Sequence, residues 1–437
     1  MEQANLFQEI VSLCKRRAVV FPSSEIYGGI NSCWDYGPLG VELRRNLKDL
    51  WWKAVVQGHR NVVGADTSII MHPEVWVASG HRDHFTDPLV DCKSCKQRFR
   101  ADQIDLTKCP ECGGQLTEPR SFNLMFKTYM GPVEDDAAQV FLRPETAQGI
   151  FVDFETIFNG SRGKLPFGIA QIGKSFRNEV SPGNFIFRSR EFEQMELEFF
   201  VDPSTEDFWF DKWVKERLEW YVSIGINPER LRTRPHGPDE LAHYAKACVD
   251  IEYLFPFGWK EIEGIANRGQ FDLQVHARSS GKQLVVFDQV REENVVPSVI
   301  ESSSGVDRIL LVALVDAYEK EAERSVLRFH PTLAPTKVAV LPLMRKEPLV
   351  EKAVSLEEEL RGSFTVEYDD AGSIGRRYRR QDESGTPYCL TVDYQSLEDD
   401  TVTIRFRDSM RQERLPVKGL TGRISELMKS REPMPVE

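Results

Sequence analysis

Two neighbouring segments in the middle of the chain decide the fold: QIGKSFRNE at residues 171–179 and RSREFEQMELE at residues 188–198. Side chains on a β-strand alternate between two faces. One face of this pair then collects the polar side chains of both segments, Gln171, Ser175, Arg177, Glu179, Arg188, Arg190, Gln194, Glu196 and Glu198. Turn residues lie between the segments, so a long antiparallel hairpin is predicted. Ion pairs on a solvated face are one interpretation; Phe192 amid these charges favours a binding site.

A third segment, VVPSVIESSSGVDR at residues 295–308, reads as a strand that turns at Gly305 into the apolar helix of residues 309–315. Arg308 falls in the first turn of that helix, where the helix dipole disfavours a cation. An anion such as phosphate would compensate it. The alternative is an ion pair between Arg308 and a neighbouring carboxylate.

Composition limits the class of protein. The chain has 437 residues, with 56 Lys+Arg against 68 Asp+Glu and a net charge of −12. This balance argues against nucleic-acid binding by bulk positive charge, although not against a local basic groove. The longest apolar run, residues 309–315, is far short of a membrane span. No signal peptide is recognisable at the N-terminus, so we expect a cytoplasmic protein with no membrane partner.

Eight cysteines are present, and four of them form two CxxC pairs separated by 13 residues: Cys92, Cys95, Cys109 and Cys112. Paired thiolates of this spacing converge on one tetrahedral ion, so we predict a closed, structural Zn²⁺ site. Four unrelated thiols or a redox pair are the alternatives. The other cysteines show no disulfide pattern, which fits a reducing compartment.

Hydrophobic periodicity predicts helices at 5–17, 38–57 and 306–325. Strands are predicted at 67–71, 165–179, 185–201, 283–289 and 295–303. The proline-rich stretch 330–335 is predicted as a linker, followed by a small α/β domain. We therefore expect a catalytic body over 1–334, with a zinc ribbon inserted at 85–118 and a mainly helical insertion at 204–256. A second domain would span 335–437.

Several of these stretches match known motifs. FRNE (176–179), RSREF (188–192) and GVDR (305–308) resemble motifs 2 and 3 of class II aminoacyl-tRNA synthetases, and the helix at 38–57 resembles motif 1. YGG (27–29), WDYGPLG (34–40), MHPEVW (71–76), FNLMF (122–126), LRPETAQG (142–149) and FEQME (192–196) are similar to the homodimeric glycyl-tRNA synthetase family within class IIa. The resemblance covers essentially the whole chain.

The resemblance implies an α+β fold: an antiparallel sheet flanked by helices, followed by an α/β anticodon-binding domain. It also implies the reaction. The carboxylate of glycine attacks the α-phosphorus of ATP, pyrophosphate leaves, and a 3′-terminal hydroxyl of tRNA(Gly) then takes the glycyl group. The implied partners are glycine, ATP with Mg²⁺, tRNA(Gly) and a second copy of the chain.

On the resemblance, Arg177 and Arg308 are the catalytic arginines, at the α-phosphate and at the nucleotide and γ-phosphate. Phe192 would stack on adenine, Glu179 would lie near its amino group, and Glu261 would bind Mg²⁺. The complete set of residues implied to contact ATP is Arg177, Asn178, Glu179, Phe187, Arg188, Ser189, Arg190, Glu191, Phe192, Glu261, Ile262, Gly305, Val306, Asp307 and Arg308.

For glycine, the resemblance implies carboxylates that hold the ammonium and a crowded wall that excludes a Cβ, so that no editing domain is required. The residues implied are Arg100, Glu145, Phe192, Glu193, Gln194, Met195, Glu196, Glu301, Ser302, Ser303, Ser304 and Gly305. Ser302 stands where the family usually has proline, and we expect no change of substrate from it.

The second domain resembles the anticodon-binding domain of glycyl-, threonyl-, prolyl- and histidyl-tRNA synthetases. Its cationic stretch consists of Arg376, Arg377, Tyr378, Arg379 and Arg380, which suits phosphate contact and base stacking. A cationic helix face neutralised by the acidic residues at 367–370 and 382–383 is the alternative.

Two other functions were weighed for the whole chain. One is a class IIa synthetase for another amino acid. The other is a nucleic-acid-binding relative without catalysis, against which the presence of both Arg177 and Arg308 argues.

Overall fold

The computed structural model describes residues 2–180, 183–242, 244–289 and 291–429. Over these residues the chain alternates helices with short strands, and the strands gather into one large and several small sheets. The helices are α1 (Glu2–Arg16), α2 (Pro38–Trp52), α3 (Pro73–Ala78), α4 (His81–His84), α5 (Ala147–Gly160), α6 (Glu206–Ser223), α7 (Phe271–Ser280), α8 (Val306–Ala317), α9 (Glu347–Arg361), α10 (Ile374–Ser384), α11 (Tyr394–Asp399) and α12 (Leu420–Leu427).

The strands are β1 (Val20–Pro22), β2 (Trp34–Tyr36), β3 (Val62–Gly64), β4 (Thr86–Asp91), β5 (Arg98–Arg100), β6 (Arg120–Asn123), β7 (Lys127–Tyr129), β8 (Gln139–Phe141), β9 (Phe167–Phe176), β10 (Glu191–Val201), β11 (Leu231–Pro235), β12 (Ala247–Phe255), β13 (Gly258–Gly269), β14 (Val286–Asp288), β15 (Glu293–Val295), β16 (Ser298–Gly305), β17 (Tyr318–Lys320), β18 (Ser325–Leu327), β19 (Val338–Pro342), β20 (Val366–Tyr368), β21 (Tyr388–Val392), β22 (Thr401–Phe406) and β23 (Gln412–Pro416).

The large sheet has seven strands in the order β11-β12-β13-β16-β10-β9-β3, and it is antiparallel except where β3 pairs with β9. The predicted hairpin is confirmed: β9 pairs with β10, and Glu196 lies opposite Gln171. The strands are shorter than predicted at the connecting end. Residues 185–187 form a 3-10 turn, because Asn184 and Phe185 have φ values of 57° and 59° that no strand continues through.

The two faces of this sheet have different covers. Odd-numbered residues of β10, such as Met195, Leu197 and Phe199, enter a large apolar core with α2, α6 and α8. On the even-numbered face, Phe200 packs with Phe154 of α5, so α5 and α7 close only the lower half of that face. The upper half, from Phe192 to Glu196, stays open and forms the floor of a cleft.

Three of the predicted elements are wrong in part. The segment 204–256 is helical only in its first half (α6); β11 and β12 then extend the large sheet, because pairing with β13 outweighs local propensity. Residues 67–71 form only an isolated bridge between Ile70 and Leu142. Helix α8 stops at Ala317, since the following residues pair as the β17–β18 hairpin.

A smaller sheet follows residue 337, in the order β20-β19-β21-β22-β23, with β19 parallel to both of its neighbours. The expected α/β domain is therefore present. The stretch before it is packed rather than free: Leu333 and Ala334 are buried, and their carbonyl groups accept hydrogen bonds from Asn46 of α2. Lys337 donates to the carbonyl oxygens of Thr332 and Ala334 at 2.6 and 2.7 Å.

A three-stranded sheet, β5-β4-β6, carries the cysteine pairs at its end. In the part of the chain that the structure describes, no helix combines the length and apolarity needed to cross a membrane.

Candidate active site

Two cavities meet on the open half of the large sheet and share Arg177, Gln194, Glu261 and Ser303 in their walls. Their floor consists of the even-numbered positions of β10 with the neighbouring positions of β13 and β16, and Arg177, which follows β9, lies at their shared wall. The register explains this: Glu196 lies opposite Gln171 on one side and Ser303 on the other. The strand alternation predicted from sequence thus brings most of the proposed ligands to one cleft.

The first cavity contains two arginines and an aromatic ring. The guanidinium of Arg177 lies 5.3 Å from the centre of the Phe192 ring, and its Nε donates to the carbonyl oxygen of Pro144 at 3.0 Å. Arg308 stacks on Phe187 at 4.5 Å, and its Nη1 lies 3.3 Å from a carboxylate oxygen of Glu261. The alternative considered for Arg308, pairing with a carboxylate, is therefore realised here. Since its side chain is 26% exposed and that of Glu261 47% exposed, both remain accessible from the cleft.

The other residues proposed for ATP divide into two groups. Those that line this cavity are Glu179, Phe187, Arg188, Ser189, Ile262 and Gly305. Asn178, Arg190 and Glu191 lie outside it: Arg190 donates to the carbonyl oxygen of Asn31 at 2.8 Å, and Glu191 forms an ion pair with Lys174. The buried Oε2 of Glu179 and Oγ of Ser189 have no hydrogen-bond partner among the described residues.

The second cavity contains carboxylates. Glu145, Glu196 and Glu301 line it together with Ser303 and Gln194. Glu196 accepts hydrogen bonds from Ser303 Oγ at 2.7 Å, from Gln194 Nε2 at 2.8 Å and from the backbone N–H of Thr146 at 3.0 Å. These donors are all neutral, so the charge of Glu196 has no ion-pair partner among the described residues.

The carboxylates in this cavity differ in their ionisation. Burial raises the pKa of Glu196, and the charge of Glu145 raises it further. Burial also raises the pKa of Glu301, to about 7, against the opposing effect of Arg268. For Glu145, burial would raise the pKa, but the charge of His81 and a hydrogen bond from it outweigh burial and lower the pKa. The site thus holds carboxylates of unlike affinity for protons.

Six proposed ligands lie on β10, β16 or α8 with side chains turned from the open cleft toward the opposite face. Glu193 pairs with Arg44 at 2.6 Å, and Ser302 Oγ donates to Glu263 at 2.6 Å. Asp307 accepts a hydrogen bond from Tyr36, although Asp307 and Ser304 both contribute to the wall of the first cavity. The six are Glu193, Met195, Ser302, Ser304, Val306 and Asp307. For the four on strands, an odd or even position decides this, because a contiguous motif occupies both faces of a strand.

Arg100 is also outside both cavities. Its Nη1 lies 2.9 Å from Asp87, and it makes two hydrogen bonds to Asp102. A role at the substrate would require these pairs to open.

The four ribbon cysteines converge as predicted. Cys92 Sγ lies 3.5 Å from Cys112 Sγ, and Cys95 Sγ lies 3.8 Å from Cys109 Sγ. All four sulfurs are within 4.8 Å of one another. Zinc–sulfur bonds of about 2.3 Å in a tetrahedron place sulfurs about 3.8 Å apart, so the donor set and its spacing fit Zn²⁺. The backbone N–H of Cys95 lowers the pKa of Cys92 to about 6, which favours the thiolate.

A second group of possible ligands, His236, Cys248 and Asp250, lies at the rim of the carboxylate cavity. Arg234 Nη2 already lies 3.3 Å from Asp250, and His236 Nε2 lies 2.8 Å from the same carboxylate. The carboxylate of Asp250 is thus already paired with a cation and with the imidazole of His236.

The cationic stretch of the second domain is largely turned inward. Arg377 is buried and donates to the carbonyl oxygens of Asp370 and Gly372, and Tyr378 bonds to Thr391 Oγ1. Arg379 pairs with Glu323, and Arg380 with Asp369. Arg376 alone of the five is exposed with no hydrogen bond or ion pair to a described residue. The alternative of an acid-neutralised helix therefore holds for Arg379 and Arg380.

Sequence reasoning missed the charged residues that lie behind the carboxylate cavity and contact its carboxylates. Arg268 of β13 binds Asp272 of α7 through two hydrogen bonds of 2.7 Å and also reaches Glu301. His81 Nε2 lies 3.3 Å from Glu145. Arg268 and Asp272 are four residues apart but lie on a strand and a helix, so the helical spacing rule does not predict their ion pair. Nothing in the sequence connects His81 to Glu145.

Comparison with known proteins agrees with this geometry. Residues 129–317 match the family model "tRNA synthetase class II core domain (G, H, P, S and T)", and residues 337–427 match "Anticodon binding domain". A prolyl-tRNA synthetase from Cryptosporidium parvum, crystallised with L-proline and AMP, superposes with a TM-score of 0.66 at 15% identity. That superposition covers 97% of this chain and 75% of the other, and shows a shared fold.

Sequence relatives are much closer. A glycine–tRNA ligase of Treponema denticola is 55% identical over 97% of both chains. One of Borreliella burgdorferi is 54% identical over 97% of this chain and 98% of its own. One of Thermobifida fusca is 52% identical, over 95% and 97%. With identity at this level over nearly the whole length, and with a class II cleft in the fold, the chain belongs to the glycine–tRNA ligase family and makes glycyl-tRNA.

Proposed function

We propose that the two joined cavities divide the substrates of this ligase, with ATP in the arginine cavity and glycine in the carboxylate cavity. The observation that carries the proposal is their shared wall, formed by Arg177, Gln194, Glu261 and Ser303. A carboxylate of glycine lying at that wall would face the α-phosphate of ATP beside Arg177. Positioning and charge stabilisation would then supply the rate without a side-chain nucleophile.

In the ATP cavity, Phe192 and Arg308 would enclose the adenine, since both present a flat surface to the cleft. Arg177 would meet the negative charge that grows on the α-phosphate as pyrophosphate leaves. Glu261 is half-exposed at the shared wall and would hold Mg²⁺ together with phosphate oxygens. The ion, when bound, supplies positive charge that offsets the phosphates.

In the glycine cavity, Glu145, Glu196 and Glu301 would surround the ammonium, with Ser303 and Gln194 holding Glu196 in place. The six residues of the opposite face would act on this pocket indirectly, by fixing the strands. Specificity against larger amino acids would come from the filled space around the ammonium rather than from editing.

The test is amino-acid-dependent exchange of radioactive pyrophosphate into ATP, measured with each of the twenty amino acids. We expect exchange with glycine alone. A matched pair of variants checks the division of the cavities. Glu196→Gln should raise the KM for glycine and leave that for ATP within about twofold. Arg308→Ala should do the reverse. Equal effects of both variants on both substrates would contradict the division.

We infer the same domain division as the sequence predicted, with the catalytic body over 1–334 and the anticodon-binding domain over 335–437. The change from the seven-stranded to the five-stranded sheet at residue 337 supports it. The exposed Arg376, at the start of α10, is the best-placed cation of its stretch for the phosphates of tRNA(Gly).

Zn²⁺ in the ribbon, a homodimer and a cytoplasmic location complete the proposal. Ile26 and Tyr27 are each 88% exposed beside β1 and β2, an apolar surface that a second copy could cover. Light scattering should then give twice the chain mass of 50.1 kDa. None of the eight cysteines is paired in a disulfide, which suits a reducing compartment.

A further inference from the structure

Gly264 is an interior position of the large sheet that carries no side chain. It lies in β13, opposite Asp250 of β12 on one side and Ser303 of β16 on the other. Glycine loses more conformational freedom on folding than any other residue, so it weakens a strand when it lies inside one. Such a glycine marks a bulge, a bend, or a place where another group approaches the backbone closely.

Neither crowding nor backbone shape explains glycine at this position. Gly168 of β9, by contrast, is enclosed, because a Cβ there would lie 2.8 Å from the side chain of Val62. Gly269 at the end of β13 has a φ of 56°, which other residues rarely adopt. The φ of Gly264 lies outside that left-handed region, and the register shifts of β13 occur at other residues.

The place that a side chain at position 264 would take is open. A Cβ built on Gly264 would meet nothing nearer than a carboxylate oxygen of Glu261 at 3.9 Å and one of Asp250 at 4.0 Å. Glu261, Asp250 and Gly264 all line the carboxylate cavity. Gly264 is half-buried, whereas Glu263 and Ile265 on either side of it in the chain are fully buried. The missing side chain therefore leaves a gap that belongs to the cavity.

The strand register shows what surrounds this gap. One row across the sheet consists of Asp250, Gly264, Ser303, Glu196 and Gln171, and only position 264 in this row has no side chain. Ser303 belongs to the wall that the two cavities share, and its Oγ donates to Glu196. The gap thus lies beside the shared wall, next to the side chains that would bind the ammonium and the carboxylate of the substrate.

The two carboxylates nearest to the gap interact with other groups. Asp250 pairs with Arg234 at 3.3 Å and with His236 at 2.8 Å. Glu261 pairs with Arg308 of the arginine cavity at 3.3 Å. Both charges are met by groups of the protein, so the gap suits a part of the substrate that has no charge of its own.

We propose that the missing side chain of Gly264 makes room for the Cα of the substrate glycine. The methylene group then lies on the backbone of β13, with the ammonium directed to Glu196 and Glu301 and the carboxylate directed to the shared wall. Gly264 acts as a substrate-contacting residue through the absence of a Cβ. The proposal rests on the assignment of the carboxylate cavity to glycine and adds where the Cα lies within it.

Gly264→Ala tests the proposal in glycine-dependent pyrophosphate exchange. The added methyl group would compete with the substrate for the gap. We therefore expect kcat/KM for glycine to fall about 10- to 200-fold, the value of one methylene group in a filled pocket. The KM for ATP should stay within about twofold of wild type. The melting temperature should equal or exceed that of wild type, because the methyl group has room and alanine restricts the unfolded chain.

Gly160→Ala is the matched control for the same chemical change. Gly160 lies at the exposed end of α5, and a Cβ there would have no atom within 4 Å. We expect both kinetic constants of this control to stay within about twofold of wild type. Three results for Gly264→Ala would overturn the proposal: a kcat/KM for glycine like that of wild type, an equal increase in the KM for ATP, or a melting temperature well below wild type. The last result would show that folding requires the glycine.

The assignment of the cavity fails in a different way. If Glu196→Gln kept the wild-type KM for glycine, the substrate would lie outside the carboxylate cavity, whatever the effect of Gly264→Ala. If Glu196→Gln raised that KM while Gly264→Ala had wild-type kinetics, the cavity assignment would stand and the position of the Cα would be wrong.

Discussion

At the scale of single residues, the cleft is defined by which side chains lack a partner inside the protein. Arg177 uses only Nε in a hydrogen bond to a described residue, so the rest of its guanidinium is available at the shared wall. Arg377, by contrast, is buried against carbonyl groups. Two arginines that the sequence analysis assigned to ligand binding thus serve binding in one case and folding in the other.

Replacement of Arg177 by alanine should therefore reduce catalysis without disturbing the fold. Loss of a charged donor at the transferred phosphoryl group costs about 2–4 kcal/mol of transition-state stabilisation, or about 30- to 1000-fold in kcat/KM. Glycine-dependent pyrophosphate exchange measures it, with the melting temperature as the check on folding. Exchange near the wild-type rate would remove Arg177 from the mechanism.

At the scale of elements, buried polar contacts fix helices on the large sheet. Arg217 of α6 binds Glu263 of β13 at 2.7 Å, with side-chain exposures of 2% and 0%. Glu263 also accepts hydrogen bonds from Tyr221 and from Ser302. The serine at position 302 thus serves the face opposite the glycine cavity, which is a physical reason to expect no change of substrate from it.

Arg217→Ala should destabilise the protein by about 3–5 kcal/mol, because it leaves Glu263 buried without its cation. Lys215→Ala on the same helix is the matched control: its ion pair with Glu219 is 3.8 Å long and more than half exposed. We expect a change within about 0.5 kcal/mol for the control. Urea unfolding followed by circular dichroism measures both. Equal effects would mean that the buried pair contributes no more than the exposed one.

The cysteine ribbon is a second element that we expect to be stabilised by a specific feature, a zinc ion held by its four cysteines. We expect one zinc per chain in protein purified without chelator, and none in Cys109→Ser, since three thiolates hold the ion much less firmly than four. Cys33→Ser, outside the ribbon, should keep its zinc. Metal analysis by mass spectrometry gives the count, and a wild-type protein without zinc would refute the site.

At the scale of the whole molecule, a buried ion network joins the catalytic body to the second domain. Asp382 of α10 is fully buried and lies 3.1 Å from Arg324 of the body. It also binds Arg405 of β22 through contacts of 2.8 and 3.0 Å. Arg328 pairs with Asp408 across the same junction. The helix that carries Arg376 is thus attached at its far end to the catalytic body.

Asp382→Asn should loosen this junction, because the buried guanidinium of Arg405 loses its counter-charge and that of Arg324 keeps only Glu321, at a cost of about 3–5 kcal/mol. We expect scanning calorimetry to show a lower melting temperature and separation of the two domains into distinct transitions. Glycine-dependent pyrophosphate exchange at 25 °C should be retained, since the cleft is built from other elements. Glu323→Gln, whose side chain is 85% exposed, is the control and should melt as wild type does. A single unchanged transition in Asp382→Asn would contradict a coupling role.

The sequence by itself determined what depends on local pattern. Alternation along residues 171–179 and 188–198 predicted the hairpin and its polar face, and the CxxC spacing predicted the convergence of four sulfurs. Both signals are local, since strand alternation and ligand spacing are set within a few residues. The same locality explains the errors: a motif such as residues 192–196 spans both faces of a strand, so Glu193 and Met195 were grouped with Glu196 although they point away from it.

The tertiary structure decided what depends on distant partners. Only the pairing of β12 with β13 turned a predicted helical segment into sheet. Only the meeting of β10, β13, β16, α4 and α7 placed His81, Arg268 and Asp272 behind the carboxylates and buried Glu198 beside Glu301. The physical reason is that burial and charge compensation, which set the proton affinity of a carboxylate, belong to no segment of the chain and arise only when segments pack together.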